Sequence, residues 1–286
     1  MLYYSVDIKK SIADKAGTGG QLVRKVRENL NLSQGELAKL LGVHWVTVSR
    51  WESGRGEPRA KCLQGLAQLY LTEAFRRVRE LLKGRGAPVS DPASHVLAYD
   101  LPEVRPAVGR YVAESLKAGY YVCLVTPSED TEEELLTRWG LSADKLLSHD
   151  GFKLLHTKDV FFRDGHYDLS QMNYLGRKLE EKLVREGWEH IRWLDDVSGL
   201  LSSGVSWEEL IIMEYNADSV FQSQEISEGL SLYPYPSQLR HPGQACILCR
   251  HPRLLGPGGI LVNPHYNDPV LCWARSQLKW RSDERA

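Results

Sequence analysis

The sequence lacks long hydrophobic runs. Although 42% of its 286 residues are hydrophobic, no stretch approaches the roughly 20 consecutive apolar residues that a membrane helix needs. Residues 1–15 also lack the apolar core of a secretory signal and carry five charged side chains instead. We therefore expect a cytoplasmic protein with no membrane partner.

Cysteine is scarce as well. The five cysteines are an odd number scattered over a long chain, which argues against a disulfide framework. We expect most of them to be reduced and buried.

The chain contains no Gly-Lys pair, which a phosphate loop requires because its lysine contacts the nucleotide phosphates. The glycine-rich run at 17–20 follows no predicted strand. Where the loop would follow the first strand of an α/β domain, the sequence has Asp100-Leu-Pro-Glu103, whose charges repel phosphate. The sequence thus predicts no nucleotide cofactor and no catalytic residue.

Net charge is close to zero, but the charges are segregated along the chain. Residues 1–86 carry 16 basic and 8 acidic side chains, whereas the rest carries 20 and 29. Chance segregation of surface charge is one interpretation. A basic half that meets phosphate is the other, and it depends on finding a nucleic-acid motif in that half.

Such a motif is present. Apolar spacing predicts helices over 21–30, 34–41 and 45–52 and a further helix after Pro58. Ser33 and Glu36 form a capping box before the second helix, and Gly42 is placed to end it in a left-handed conformation. Two short helices joined by a tight turn that contains glycine are typical of a helix-turn-helix unit.

The string from Leu32 to Gly54 closely resembles the phage-repressor-like (Cro/C1, or XRE) family, and the likeness covers residues 19–70. It implies that the helix over 45–52 enters the major groove of double-stranded DNA and that the protein acts as a homodimer. With Val48 and Trp51 buried, the helical wheel turns Arg50 outward, suited to guanine, and Val46 toward a thymine methyl. The predicted DNA-binding residues are Gln34, His44, Trp45, Val46, Thr47, Ser49 and Arg50.

Three of these, Gln34, His44 and Thr47, are expected to contact phosphates. Trp45 departs from the small or polar residues usual at its position, and two alternatives remain open: it reaches bases, or it packs on the first helix. A protein-interaction module is the competing interpretation of the whole unit.

The acidic half alternates short apolar runs with amphipathic helices, which predicts βαβ units. The fold class is therefore an all-α helix-turn-helix domain followed by an α/β domain with a mostly parallel, RecA/KaiC-like sheet. We predict a tail over 1–18, the DNA-binding domain over 19–83, a Gly/Pro-rich linker over 84–93, the α/β domain over 94–275 and a tail over 276–286.

The α/β half resembles the MEDS sensory family, whose type member is a dichloromethane-responsive repressor. The likeness spans 94–270 and rests on His95 opening the first strand, on Arg163-Asp-Gly-x-Tyr-Asp168, and on the ending His251-Pro-Arg-Leu-Leu-x-Pro-Gly-Gly-Ile-Leu-Val-Asn-Pro-His-Tyr266. It implies a relative of RecA-type ATPases that has lost the ATP machinery and senses a small hydrocarbon derivative.

Ligands of open α/β sheets bind at the carboxyl ends of the strands. The predicted effector-binding residues are aromatic and histidine side chains near such ends: His95, Tyr99, Trp193, His265 and Tyr266. The Asp195-Asp196 pair either mimics the metal-holding end of an ATPase strand or, without a phosphate loop, caps the next turn.

One further group has ligand-type side chains, namely His241, Cys246, Cys249 and His251. A zinc site is one interpretation, and buried helix cysteines are the other. Because a single C-x-x-C is present, we expect no metal.

Together these patterns predict a sequence-specific transcription regulator that senses a small-molecule effector. The alternatives are a nucleotide-binding switch or enzyme with an atypical phosphate loop, and a protein-interaction adaptor.

Overall fold

The computed structural model describes residues 19–84, 95–127, 132–223, 227–236 and 243–277, with backbone only for 132, 218–223 and 275–277. The predicted tail over 1–18 and most of the predicted linker lie outside these residues. The chain divides into two compact units.

The first unit is helical. Its described part covers residues 19–79, 243–249 and 264–277. The helices of the amino-terminal region are α1 (Gly19–Asn29), α2 (Gln34–Leu41), α3 (Trp45–Glu52) and α4 (Ala60–Lys83). They bury an apolar core made of Leu22, Val23, Val26, Leu37, Val48, Trp51, Leu66 and Leu71.

The second unit contains a seven-stranded sheet in the order β3-β2-β6-β7-β1-β8-β9. Its strands are β1 (His95–Asp100), β2 (Tyr121–Thr126), β3 (Phe152–His156), β6 (Ile191–Asp196), β7 (Ser227–Pro234), β8 (Arg253–Gly256) and β9 (Gly259–Val262). All neighbours run parallel except β8 and β9, which pair antiparallel. The prediction of a mostly parallel sheet is therefore confirmed.

Helices flank the sheet, as the alternating pattern predicts. They are α5 (Arg105–Lys117), α6 (Glu132–Arg138), α7 (Ala143–Leu147), α8 (Thr157–Phe161), α9 (Leu169–Arg185), α10 (Ser198–Ser202) and α11 (Trp207–Ser223). Between α8 and α9 a short hairpin pairs β4 (Phe162–Arg163) with β5 (His166–Tyr167). The strands β1 and β2, neither of which is an edge strand, are almost entirely buried, because helices cover both faces of a parallel sheet.

The last two helices are α12 (Gly243–Arg250) and α13 (Pro269–Gln277). Residues 243–249 and α13 fall in the compact unit that contains the amino-terminal helices. Within that unit the hydroxyl of Tyr70 donates a 2.6 Å hydrogen bond to Asp268, and the Asn29 amide donates to Tyr70 at 3.3 Å. A partly buried chain of hydrogen bonds therefore joins α1 and α4 to the start of α13.

Candidate nucleic-acid interface and sensory site

The turn between α2 and α3 forms as the local sequence predicts. Ser33 accepts from the Glu36 amide at 3.2 Å, and the Glu36 carboxylate accepts from the Ser33 amide at 2.7 Å, completing the capping box. Gly42 has φ of 66°, the left-handed conformation that glycine adopts without steric cost. These caps fix the angle at which α3 leaves α2.

Helix α3 has one buried and one accessible face. Val48 and Trp51 are buried, whereas Arg50 is exposed and Val46, Thr47 and Ser49 are partly exposed. His44 caps the helix, its Nδ1 accepting from the Val46 amide at 3.3 Å. The accessible face thus carries a guanidinium, two hydroxyls and a valine, groups that read base edges in a major groove.

Trp45 stands at the first turn of α3 and is 54% exposed. Its ring lies 5.9 Å from that of His44. More than half of the indole surface is therefore accessible to solvent.

Glu52, at the end of α3, lies at the centre of a polar network whose importance the sequence did not reveal. Its side chain is 2% exposed. Arg27 of α1 donates to it at 2.6 and 3.1 Å, and the Gln34 amide of α2 donates at 2.9 Å. Burial raises the pKa of Glu52. The hydrogen bonds from Arg27 and Gln34 and the charge of Arg27 lower this pKa by a larger amount, so the net shift is downward. Gln34, predicted as a phosphate contact, is therefore also engaged in holding α2 against α3.

The sheet unit contains a cavity of about 1000 Å³ on the face covered by α9. This volume lies at the upper end of the roughly 300–1,000 Å³ usual for small-molecule pockets. Its walls combine apolar and charged side chains: Val125, Lys153, Leu155, Asp159, Val160, Phe161, Met172, Asn173, Leu175, Arg177, Lys178, Leu179, Glu180, Glu181, Lys182, Arg185, Trp193, Asp195 and Asn216.

Trp193 and Asp195 line this cavity from β6. Asp195 is partly accessible from the cavity but surrounded by protein, and burial, followed by the negative charge of Glu214, raises its pKa to about 7. Its neighbour Asp196 points elsewhere and accepts from the amide and hydroxyl of Ser198 at 3.0 and 2.6 Å. Asp196 thus caps the turn into α10, which is one of the two interpretations of the pair.

The five predicted effector residues are divided between the two compact units. Among them, Trp193 lines the cavity. Tyr99 is 3% exposed and lies edge-on to Tyr235 at 5.3 Å. His265 and Tyr266 belong to the helical unit, where His265 Nδ1 lies 3.2 Å from Asp268 and Tyr266 is 40% exposed.

His95 instead joins a cluster that the sequence did not predict. Its Nε2 lies 3.2 Å from Nε2 of His251, and each nitrogen lies 3.4 Å from Oε2 of Glu214. All three side chains are buried. Burial raises the pKa of Glu214, but the neighbouring imidazoles of His251 and His95 and the hydrogen bond from the Tyr233 hydroxyl lower this pKa by a larger amount, to about 2. Two imidazole nitrogens and one carboxylate oxygen are atoms that could together hold a metal ion.

The predicted cysteine-histidine group is not gathered in the same way. His241 lies outside the described residues, and His251 belongs to the cluster with His95. Cys249 Sγ lies 3.0 Å from Cys272 Sγ, while Cys246 is buried in α12. Among the described residues, the arrangement gives no four-ligand site from this segment.

The segment after β1 contains an ion pair of its own. Asp100, at the end of β1, accepts from Arg105 at 2.6 and 3.0 Å. The guanidinium at the start of α5 is therefore bound to a carboxylate of the protein.

Comparisons with known proteins match both halves. A helix-turn-helix family profile matches residues 23–72, and the profile described as MEthanogen/methylotroph, DcmR Sensory domain (MEDS) matches residues 95–252. No curated protein matches the chain. Among the described helices, none is both long and apolar enough to cross a membrane. The MEDS match covers more than half of the chain, so the protein belongs to the MEDS family and carries a helix-turn-helix domain at its amino-terminal side.

Proposed function

We propose that this protein is a transcription regulator that binds double-stranded DNA as a homodimer and responds to a small-molecule effector sensed by its MEDS domain. The observation that carries the DNA-binding part is the accessible face of α3, where Arg50 and Trp45 are exposed. The segment 1–86 around this face has twice as many basic as acidic side chains. We place the protein in the cytoplasm and assign it no catalytic role.

A homodimer follows from the geometry of such readers. One short helix contacts few base pairs. In a dimer, binding of one copy to its half-site gives the second copy a much higher effective concentration at the neighbouring half-site. We retain the proposed domain limits of 19–83 for the DNA reader and 94–275 for the sensory domain.

The test begins with the full chain and a randomised duplex pool from which bound sequences are selected. We expect a preferred site, and an affinity that falls steeply with added salt because bound phosphates release counterions. Absence of binding at low salt, or binding insensitive to salt, would favour the protein-interaction adaptor instead.

Arg50→Ala is expected to weaken binding at the selected site by about 1–3 kcal/mol and to relax preference at one base pair, because Arg50 is assigned a base contact. Arg76→Ala is the matched control, since Arg76 is an exposed arginine of the same unit that pairs with Glu73 at 2.6 Å. Titration of both variants against the selected site and a scrambled duplex separates the roles. Equal weakening of both duplexes by Arg50→Ala would make Arg50 a phosphate contact.

The effector is proposed to occupy the cavity beside Trp193. A thermal-shift screen of the full chain against small uncharged organic molecules, dichloromethane included, should give a ligand that also changes DNA affinity. Trp193→Ala should weaken binding of that ligand by about 2 kcal/mol, because an aromatic side chain that contacts a ligand supplies a large share of the binding energy. DNA binding without ligand should be unchanged.

ATP belongs in the same screen. We expect no shift, because the segment after β1 presents the Asp100–Arg105 pair instead of glycines and a free lysine. Micromolar ATP binding with turnover would contradict the sensory proposal and favour the nucleotide-binding alternative. A hit that Trp193→Ala leaves untouched would place the effector elsewhere.

A further inference from the structure

We infer that His95, Glu214 and His251 form a binding site for one zinc-type divalent metal ion inside the sheet unit. The three residues lie far apart in the sequence. His95 opens β1, Glu214 lies in α11, and His251 stands between α12 and β8. This inference does not depend on DNA binding or on the effector, and it departs from the expectation, based on the sequence, that the chain binds no metal.

The spacing of the three ligand atoms fits tetrahedral coordination. The three ligand atoms form a triangle in which the two imidazole nitrogens lie 3.2 Å apart and each lies 3.4 Å from Glu214 Oε2. Zinc binds imidazole nitrogen and carboxylate oxygen at about 2.0–2.1 Å, which places tetrahedral ligands about 3.3 Å apart. Octahedral ligands at about 2.0–2.1 Å would lie about 2.9 Å apart. The observed triangle matches the tetrahedral value.

Direct pairing explains the same distances less well. A charge-assisted hydrogen bond between a protonated histidine and a carboxylate is about 2.7–2.9 Å long. Here both imidazole nitrogens lie 3.4 Å from Glu214 Oε2. Both histidines also turn Nε2 toward each other, which places two like charges in contact if both are protonated. A cation between the three atoms satisfies all of them at once.

The neighbours of Glu214 orient it for this role. The hydroxyl of Tyr233 donates to Oε1 at 2.6 Å, so Oε2 is the oxygen that faces the histidines. The Asn263 amide donates to the backbone carbonyl of His251 at 2.7 Å and fixes the segment that carries this ligand. Partners of this kind around a metal site set the direction and basicity of its ligands.

The fourth position has no strong ligand from the described side chains. The Ser231 Oγ lies 3.0 Å from His95 Nε2 and 3.5 Å from Glu214 Oε2. A tetrahedral ion with three protein ligands keeps its fourth position for water or another small donor molecule. The Ser231 hydroxyl is placed to hydrogen-bond to such a molecule.

The donor set also selects the class of metal. Imidazole favours zinc, copper, nickel, cobalt and iron over calcium and magnesium, which prefer oxygen cages. Two imidazoles and one carboxylate form a set that zinc uses with an open fourth position. Zinc is therefore the probe, and cobalt is its spectroscopic substitute.

The test uses the full chain, stripped with a chelator and then titrated with zinc. We expect about one zinc per chain by elemental analysis and a rise in Tm on its addition. Cobalt should give the intense visible absorption of a tetrahedral site without the near-ultraviolet charge-transfer band of thiolate ligands. A Tm unaffected by zinc, or octahedral cobalt absorption, would overturn the inference.

Variants locate the ion. Glu214→Gln and His251→Ala should each lower zinc affinity at least about 100-fold, and Tyr233→Phe about 10–100-fold. His166→Ala, at an exposed histidine of β5, and Cys249→Ser with Cys272→Ser should keep full affinity. Circular dichroism of each stripped variant checks folding, and Tyr233→Phe keeps the test valid if a histidine variant fails to fold. Stoichiometric zinc in the ligand variants, or its loss in the cysteine variant, would place the ion elsewhere and overturn the inference.

Discussion

Replacement of Glu52 by alanine should lower the free energy of unfolding of the helical unit by about 3 kcal/mol or more. The Glu52 carboxylate is nearly inaccessible and joins three helices by accepting from Arg27 on α1 and Gln34 on α2. Its removal leaves the Arg27 guanidinium, itself 16% exposed, without its main partner. Loss of one member of a buried ion pair costs about 3–5 kcal/mol, because the other charge stays desolvated.

Urea denaturation of the full chain, followed by circular dichroism, measures this loss. The control is Glu28→Ala. Glu28 also contacts Arg27, at 3.6 Å, but its side chain is 59% exposed, so its pair contributes at most about 1 kcal/mol. If Glu28→Ala destabilised the chain as much as Glu52→Ala, the burial argument would be wrong.

The same network shows which features of the helix-turn-helix domain can be predicted from the sequence and which cannot. Ser33, Glu36 and Gly42 act on backbone groups a few residues away, so their spacing alone predicts the turn between α2 and α3. Glu52 acts on Arg27 and Gln34, which are 25 and 18 residues away. Its role depends on how the helices pack, and no local pattern reports it.

In the α/β half, too, some elements can be predicted from the local sequence and others cannot. Continuous apolar runs such as those of β1 and β2 are readily predicted as strands, because both faces of a parallel strand are buried. The sequence does not predict strand β8, since its four residues contain just two consecutive leucines between an arginine and a glycine. Nor does it predict the helices α7 and α8, because five residues hold little more than one turn.

The cluster of His95, Glu214 and His251 could not be predicted from the sequence. His95 and His251 both stand out in the sequence, but they fall in different predicted groups because the sequence does not reveal the order of strands in the sheet. Glu214 carries one faint signal in the sequence, a carboxylate that directly follows the apolar run from Leu210 to Met213. The sheet order, which sets β7 beside β1 and β1 beside β8, and the contact of Glu214 in α11 with Tyr233 of β7 bring the three residues together.

The sign of a glycine-to-alanine change should differ between two helices of the sheet unit. Alanine is the better helix former by about 1 kcal/mol, so both changes would stabilise an isolated helix. At Gly109 of α5, however, an added Cβ would lie 2.1 Å from the carbonyl oxygen of Trp139, a backbone atom that cannot turn aside. At Gly176 of α9 no described heavy atom lies within 4 Å of the added carbon.

We therefore expect Gly109→Ala to destabilise the sheet unit by about 2 kcal/mol or more, since forcing α5 away from the turn after α6 disturbs packing on both sides of the contact. Gly176→Ala should stabilise it by about 0.5–1 kcal/mol. Urea denaturation of the two variants and the unaltered chain, in one buffer, gives both values. Because the two changes add the same methyl group to helices of the same unit, a shared sign would show that helix propensity outweighs the contact with Trp139, and that α5 moves away from this turn at little cost.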